Sequence, residues 1–339
     1  MTRSTFPDQQ ALTLGLSSVL AGPGHAGGPV SILAREPLVA GTFPKEIVTC
    51  QLDGSELRLL CKYDAGHSPP VRGYPGQGHW GGVPYEAAVY AEVLRPPLVS
   101  VPGFYGTYTD RRTGAISLIL EYLDQSARVH QVSVTGSMEL AARWLGQFHA
   151  ANERRLQHTS LPFLRCYDAD YYRGWARRTA LRAADQPQSS PWLPGLCQQF
   201  EALIALLLAA PPTIIHGEYY PKNILYREGT IYPVDWESAA IAAGEIDVAS
   251  LTEGWPADIA QRCEREYQQA RWPQGAPAAF ARTLEAARLY WCLRWLSDRI
   301  MASKFPRYLT QLRRISQRLA LMERSEKLHF AIAASKADV

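Results

Sequence analysis

The sequence contains few cysteines and no closely spaced pair of them. The six cysteines, at positions 50, 61, 166, 197, 263 and 292, form no C-x-x-C motif. This spacing argues against a structural zinc site or a disulfide framework and is typical of a protein in a reducing compartment. We therefore predict a cytoplasmic protein whose cysteines are mostly small buried side chains.

Long apolar runs and a strong excess of one charge are also absent. The longest apolar run, residues 202–210, ends at Pro211 and Pro212, far short of the roughly 20 residues that a membrane-spanning helix needs. Arg3 is not followed by the apolar stretch of a secretory signal. A formal net charge of +3 over 339 residues is too small to favour nucleic acid or an anionic membrane surface. We expect no nucleic-acid or membrane partner, and the length allows two lobes.

One segment, residues 213–251, carries many polar side chains between short apolar runs. It contains His216-Gly217-Glu218, then Asn223, then Asp235-Trp236-Glu237. A glycine in the short connection 227–230 predicts a β-hairpin, which would let Asn223 and Asp235 converge. An amide oxygen beside carboxylates suits Mg²⁺ bound together with substrate phosphates. Glu218 could then orient an attacking hydroxyl and act as its base.

The order of these elements resembles the aminoglycoside phosphotransferase and choline kinase family. The pattern is H-G-acid-x-x-x-x-N, followed by V-D-W-E and by G-E-I-D-V-A. The resemblance implies a two-lobed, protein-kinase-like α+β fold. An N-terminal antiparallel β-sheet lobe with one main helix would precede a larger, mostly helical C-terminal lobe.

The resemblance also implies roles for single residues in this segment. Asn223 and Asp235 would be the metal ligands, and Asp247 would brace the catalytic loop from the following helix. His216 would brace the same loop rather than act as a base. Two further candidates are Glu237 for the metal shell and Lys222 for the γ-phosphate.

The N-terminal half contains a second hairpin signal, Asp53-Gly54, between β-prone residues 46–52 and 55–63. Near the end of the second strand, Lys62 resembles the family's lysine that pairs with the α- and β-phosphates. The turn at 41–45 falls where a nucleotide-covering loop would lie. The G-x-G-x-x-G pattern at 76–81 comes after Lys62 and no strand leads into it, so we interpret it as an ordinary loop.

A helix is predicted to begin near Pro84, because proline suits a first helical turn. Glu86 in that turn resembles the glutamate that holds the phosphate lysine by an ion pair. Glu92, on the same helix, is the alternative partner for Lys62.

The predicted lobe boundary lies after the apolar run 115–120. Glu121, Tyr122 and Leu123 occupy the position of the family's hinge, where backbone groups contact the adenine. Because the readout is by backbone, ATP and GTP both fit the sequence. We predict an N-terminal extension at 1–35, a nucleotide-binding lobe at 36–121 and a catalytic lobe at 122–339.

The acceptor is the least determined part of the prediction. His149 resembles a structural histidine of the family. The late helices wall the acceptor pocket in the family, which makes Trp255, Tyr290 and Trp291 candidates. An aminoglycoside would require acidic walls, and sugar or amino-alcohol acceptors are alternatives. The acidic candidates are Glu253, Asp258, Glu264 and Glu266.

One departure from the family pattern divides two functional hypotheses. Glu218 stands where aspartate is usual, and its extra methylene moves the carboxylate outward by roughly 1–1.5 Å. The first hypothesis is an ATP-dependent phosphotransferase that moves the γ-phosphoryl group to a hydroxyl of a small molecule with Mg²⁺. The second is a pseudokinase-like module that binds a metabolite or protein partner. Lys62, Asn223 and Asp235 favour the enzyme, whereas Glu218 and the glycine-poor turn at 41–45 favour the pseudokinase.

Overall fold

The chain forms two compact units, which we describe from a computed structural model. The first contains Met1–Leu140 and Pro221–Ala239, and the second contains Ala141–Tyr220 and Ala240–Val339. The described residues are 6–21, 29–38, 43–64, 81–94, 100–132, 136–184, 193–297 and 310–321.

Strands and helices follow one another along the chain in a pattern that changes from mostly β to mostly α. The strands are β1 (Ser31–Leu38), β2 (Lys45–Leu52), β3 (Ser55–Asp64), β4 (Phe104–Thr109), β5 (Ile116–Glu121), β6 (Ala127–Arg128), β7 (Arg165–Cys166), β8 (Pro212–Ile215), β9 (Ile224–Arg227), β10 (Thr230–Pro233) and β11 (Ala240–Ala243). The helices are α1 (Gln9–Leu20), α2 (Gly82–Glu92), α3 (Ser137–Leu156), α4 (Ala169–Ala184), α5 (Leu193–Ala209), α6 (Glu245–Thr252), α7 (Ala257–Arg271) and α8 (Phe280–Ser297), with a further helix at 310–321.

The first unit is built on a five-stranded antiparallel sheet in the order β1-β2-β3-β5-β4. The predicted hairpin at Asp53-Gly54 joins β2 to β3. Both turn residues have positive φ, 50° and 81°, as the favoured two-residue hairpin turn requires. The turn sets the register from Leu52 opposite Ser55 to Lys45 opposite Lys62.

Helix α1 lies within residues 1–35, which the sequence predicted as an extension. Its N-cap is Asp8, whose side chain accepts the Ala11 N–H at 2.8 Å. Leu12, Leu16 and Leu20 are buried in one cluster with residues of β2, β3 and β5. This helix is therefore part of the core of the first unit.

The second predicted hairpin, β9–β10, also belongs to the first unit. Glu228 and Gly229 supply the positive φ of its turn, and Arg227 pairs with Thr230. Just beyond the ladder, the Val234 N–H donates to the Asn223 carbonyl at 2.9 Å. The first unit thus includes 122–140 and 221–239 beyond the predicted lobe boundary at residue 121.

The second unit is mainly helical. Helices α4 and α5 both pack against α8, and α6 packs against α8 as well. A small sheet in the order β7-β11-β8 leads into two segments of the second unit: β8 is followed by His216, and β11 is followed by α6. None of the described helices combines the length and apolar composition that a membrane crossing requires.

Candidate functional site

A buried lysine with two carboxylate partners is the central feature of the first unit. Lys62 on β3 places Nζ 2.6 Å from Glu86 Oε2 on α2 and 2.6 Å from Asp235 Oδ1. Burial disfavours the charged lysine, but the two carboxylates outweigh it and raise the pKa of Lys62 above its ordinary value. The predicted Lys62–Glu86 pair is present, and Glu86 rather than Glu92 is the partner.

Glu86 also holds the segment that carries Asp235. Its Oε1 accepts the Trp236 backbone N–H at 3.2 Å. The Gly81 N–H, just before α2, donates to the Glu237 carbonyl at 2.7 Å. The Glu237 side chain is buried and close enough to Lys62 to attract its charge. The start of α2 therefore fixes the lysine and the 235–237 segment together.

The backbone at Asp235 has a conformation that aspartate rarely adopts. Its φ is 71°, in the left-handed region that costs a non-glycine residue of the order of 1 kcal/mol or more and that recurs at functional sites. The Asp235 side chain is 36% exposed, whereas that of Lys62 is 7% exposed. The carboxylate is thus held in place while it stays accessible to a ligand.

The oxygen donors in this region fit a magnesium ion that arrives with phosphates. Asn223 and Asp235 offer an amide and a carboxylate, and the Val234–Asn223 backbone hydrogen bond joins their segments. Among the described residues there is no group of three or more His, Cys, Asp and Glu side chains able to hold a metal. Mg²⁺ commonly uses one or two protein oxygen ligands and completes its shell with water and phosphate.

Lys45 is a residue of this site that the sequence analysis did not single out. It lies opposite Lys62 in the β2–β3 ladder, so both side chains are on the same face of the sheet. Burial lowers the pKa of Lys45, Asp235 opposes this effect, and Lys62 and Arg128 add to it. The hairpin register was the signal that could have found it, because counting outward from Asp53-Gly54 pairs residue 45 with residue 62.

Lys222 lies in the 3₁₀ turn Pro221–Asn223, and its side chain is exposed. Its carbonyl accepts a hydrogen bond from the Arg128 guanidinium. This contact attaches the turn that carries Asn223 to β6. The structure thus shows Lys222 anchoring the turn through its backbone, and a phosphate contact by its side chain stays a prediction.

The three residues of the predicted hinge differ in whether their backbone amides are hydrogen-bonded. The Glu121 N–H donates to the Gly103 carbonyl at 2.7 Å, and the Tyr122 N–H donates to the Arg58 carbonyl at 3.1 Å. Within the described part of the chain, the Leu123 N–H has no acceptor. Of the three predicted hinge residues, Leu123 is therefore the candidate for a backbone hydrogen bond to a base.

In the second unit, a buried carboxylate holds the loop that follows β8. Asp247 on α6 accepts the His216 N–H at 2.6 Å and the Gly217 N–H at 2.9 Å. Gly217 has a φ of 79°, which suits glycine because it lacks a Cβ atom. Within the loop, the Glu218 N–H donates to His216 Nδ1 at 3.3 Å. Both residues predicted as braces, Asp247 and His216, make the contacts that such a role requires.

His149 extends this network away from the loop. Its Nε2 lies 3.3 Å from Asp247 Oδ2, and its Nδ1 lies 3.0 Å from the Tyr267 hydroxyl, which in turn accepts from Arg271 at 2.6 Å. Burial lowers the pKa of His149 to about 4, although Asp247 opposes this effect. The neutral ring then donates to Asp247 and accepts from Tyr267, which is a structural arrangement.

This buried neutral histidine predicts a pH dependence of stability. In the unfolded chain the imidazole takes up a proton near pH 6.5, whereas in the folded protein it does so only near pH 4. The unfolded state therefore binds more protons in this interval, and stability is lost as the pH falls through it, by up to about 3 kcal/mol from this group. Urea midpoints measured between pH 7 and pH 4 should decline, and His149→Gln should reduce the decline. The exposed His158→Gln is the control, and an equal effect of both variants would contradict the assignment.

Glu218 itself is paired with a cation that the sequence analysis missed. Arg294 on α8 donates from Nη2 to Glu218 Oε1 and from Nη1 to the Gly217 carbonyl, the latter at 3.2 Å. Glu218 is 8% exposed and Arg294 is 3% exposed. The only sequence signal was an arginine within the apolar run Leu293–Leu296, which indicates a buried cation but not which residue pairs with it.

The aromatic candidates for acceptor contacts separate into core and loop-contacting residues. Tyr290 is fully buried and its hydroxyl lies 2.9 Å from that of Tyr171, so it packs as core. Trp291 is buried with its ring edge-on to Tyr220 at 6.1 Å between centroids. Trp255 is partly exposed and lines a surface cavity together with Glu253 and Glu264.

The chain matches a known family over most of its length. The model of the phosphotransferase enzyme family covers residues 81–296. No curated protein sequence is significantly similar to the chain.

Solved structures share the fold at low sequence identity. Choline kinase LicA from Streptococcus pneumoniae is 14% identical, with 90% of this chain and 96% of that chain covered and a TM-score of 0.55. Macrolide 2'-phosphotransferase MphH from Brachybacterium faecium is 16% identical, with 85% and 91% covered and a TM-score of 0.51. The GDP and kanamycin complex of APH(2")-IIia is 13% identical, with 91% and 99% covered and a TM-score of 0.57.

These findings confirm the fold class that the sequence predicted, a two-lobed, protein-kinase-like α+β fold. The family match extends from the start of α2 to the end of α8 and includes Glu86, Glu218, Asn223, Asp235, Asp247 and Arg294. With more than half of its 339 residues matched, the chain belongs to the phosphotransferase enzyme family.

Proposed function

We propose that this protein is an ATP-dependent phosphotransferase that moves the γ-phosphoryl group to a hydroxyl of a small molecule with the help of Mg²⁺. The observation that carries the proposal is the buried Lys62, held by Glu86 and Asp235. A buried ammonium kept charged by two carboxylates is suited to neutralise phosphate oxygens. Since Glu86 also holds the Trp236 amide, the lysine and the metal-binding aspartate keep a fixed geometry.

The cations around Asp235 are suited to bind phosphate oxygens. Lys45 and Lys62 lie opposite each other on two strands, and Arg128 is close enough to influence Lys45. We assign Lys62 to the α- and β-phosphates and Lys45 to a neighbouring phosphate oxygen. A bound Mg²⁺ would supply further positive charge to the phosphates, and Asn223 and Asp235 are the residues that would hold it.

The base of the nucleotide would be read by the hinge backbone. Among the described residues, no acceptor is found for the Leu123 N–H, which makes it the candidate donor to the base. A purine ring nitrogen is a suitable acceptor for it, and this contact is compatible with ATP and with GTP. We propose ATP as the co-substrate and treat GTP as an alternative for the binding experiment below.

The acidic residues considered for an aminoglycoside pocket already have partners within the second unit. Three of the four charges are balanced by arginine and the fourth is hydrogen-bonded to a glutamine, so these residues offer little unbalanced negative charge to a polycation. We therefore favour a neutral or singly charged hydroxyl compound, such as a sugar or an amino alcohol. The pairs are Glu253 with Gln311, Asp258 with Arg262, Glu264 with Arg288, and Glu266 with Arg143.

The experiment that tests the proposal measures thermal unfolding with ATP or GTP, each with and without Mg²⁺. At 100 times its dissociation constant a ligand stabilises the folded protein by about 2.7 kcal/mol, so the midpoint should rise by a few degrees. We expect the midpoint to rise more with Mg²⁺ than without it. In a second assay, release of ADP should depend on the acceptor when a panel of sugars, amino alcohols and aminoglycosides is tested. No rise with any nucleotide, or binding without phosphoryl transfer to any acceptor, would favour the pseudokinase-like alternative.

A further inference from the structure

Arg294 contacts the loop that carries Glu218 at three points. Its guanidinium donates to the Glu218 carboxylate, to the Gly217 carbonyl at 3.2 Å and to the Tyr220 hydroxyl at 3.3 Å. Arg294 is almost fully buried on α8. A planar guanidinium with several donors in fixed directions is well suited to hold such a set of acceptors in one arrangement.

Aromatic side chains hold Arg294 in turn. The Trp295 indole N–H donates to the Tyr220 hydroxyl at 3.1 Å, and the Arg294 guanidinium lies 4.9 Å from the centre of the Trp295 ring. Burial raises the pKa of Tyr220 far above its usual range, so the phenol stays neutral and accepts from both neighbours. These contacts limit the movement of the arginine.

We infer that Arg294 is a positioning residue, which holds the Glu218 carboxylate in one orientation and keeps it ionised. The inference rests on the proposed phosphotransferase function. It also accounts for the glutamate at a position where the family resemblance leads us to expect aspartate. The additional methylene gives the carboxylate one more rotatable bond, and the contact with a buried guanidinium removes that freedom.

The reaction step in which the pair takes part involves one proton transfer. Glu218 accepts the proton of the acceptor hydroxyl as its oxygen forms a bond to the γ-phosphorus. The bond between that phosphorus and the oxygen bridging to the β-phosphate breaks, and ADP leaves with the electron pair. The product is a phosphate monoester, and Glu218 later releases its proton to solvent. Arg294 stays protonated throughout and acts only through the carboxylate.

The charges around Glu218 determine how the loss of Arg294 would appear in a pH profile. Within the second unit, Glu218 is close to Arg294, Tyr220 and His216. Asp247 accepts the amides of His216 and Gly217, and Tyr171 and Tyr290 interact with Arg294. Arg294 is the cation among these groups, so weakening its contact favours the protonated carboxyl. The acidic limb of the rate profile should therefore move to higher pH.

The test compares Arg294→Lys with Arg288→Lys in the full-length enzyme. Arg288 is a matched control because it also lies on α8 and is paired with carboxylates, Glu264 and Glu285, but it makes no contact with Glu218. For Arg294→Lys we expect kcat to fall about 10- to 100-fold with the KM for ATP unchanged. The midpoint of the acidic limb of the kcat–pH profile should move to higher pH by about one unit. Arg288→Lys should change neither quantity.

Glu218→Asp provides a second measurement that does not depend on removing the arginine. A shorter carboxylate loses much of its contact with Arg294. The double variant Glu218→Asp with Arg294→Lys should therefore lose less kcat than the product of the fold losses of the two single variants. Multiplicative effects would overturn the inference, as would an unchanged or faster kcat in a folded Arg294→Lys enzyme. A wild-type protein that binds Mg-ATP but transfers no phosphoryl group would instead contradict the proposed function.

Discussion

Replacing Asp235 by asparagine is expected to lower phosphoryl transfer at least about 1,000-fold while the protein stays folded. The substitution removes the carboxylate that we propose as a metal ligand but preserves the shape of the side chain. Asparagine also tolerates a left-handed backbone better than most residues, so the φ of 71° at this position is no obstacle. Lys62 keeps Glu86 as its partner, which limits the loss of stability.

The measurement is kcat at saturating Mg-ATP, together with the thermal shift produced by ATP with and without Mg²⁺. Asp53→Asn is a matched control, because Asp53 is exposed and also has a positive φ, of 50°. The control should keep wild-type turnover and the full metal-dependent shift. If Asp235→Asn retains turnover within a few fold of wild type, the assignment of Asp235 as a metal ligand is wrong.

The parts of the site that could be predicted from the sequence depend on local geometry. Two short turns with glycine predicted the hairpins, and the hairpins bring Lys62, Asn223 and Asp235 to their places. The Lys62–Glu86 pair followed from the family resemblance and is present at 2.6 Å. Lys45 could have been added, because the register of a two-residue hairpin is fixed by its turn.

The parts that could not be predicted depend on long-range packing. Arg294 is 76 residues from Glu218 along the chain, and an arginine in an apolar helix indicates burial without indicating a partner. The burial of α1 in the core of the first unit also depends on long-range packing, because the sequence of a short amphipathic helix does not specify which sheet it covers. The inclusion of 221–239 in the first unit also reflects contacts between distant segments, such as that of Trp236 with Glu86.

The loop from His216 to Asn223 begins in the second unit and ends in the first, and each unit holds its own part of the loop by different contacts. Glu218 belongs to the second unit, and Asn223 and Asp235 belong to the first. In the second unit the loop is held by Asp247 through backbone amides and by Arg294 through the Glu218 side chain. In the first unit the Arg128 contact with the Lys222 carbonyl holds the turn before Asn223. Within each unit, the proposed catalytic residues are thus held by neighbours that are themselves buried or hydrogen-bonded.

Among these supports, Asp247 should have the largest effect on the loop when it is changed. In Asp247→Asn, the side-chain amide cannot accept from both His216 and Gly217 as two carboxylate oxygens do, and its NH₂ group faces a donor. Leaving a buried amide without an acceptor costs about 1–3 kcal/mol, and more where the lost acceptor was charged. We expect the free energy of unfolding to fall by about 2–4 kcal/mol and kcat to fall at least about 100-fold, because the loop that carries Glu218 loses its anchor.

Hydrogen exchange can separate this local effect from a general loss of stability. In Asp247→Asn, the amides of His216 and Gly217 should exchange faster than those of β8, which precedes them, because the substitution removes their acceptor directly. Asp168→Asn is a matched control, since Asp168 accepts one backbone amide, that of Tyr171 at 2.7 Å, at the start of α4. An N-cap of this kind contributes about 1 kcal/mol, and its loss should leave exchange in the loop and kcat unchanged. Equal losses of stability and of kcat in the two variants would mean that Asp247 acts as an ordinary hydrogen-bond acceptor. Faster exchange confined to His216 and Gly217, together with a lower kcat, would identify Asp247 as the residue that positions the loop carrying Glu218.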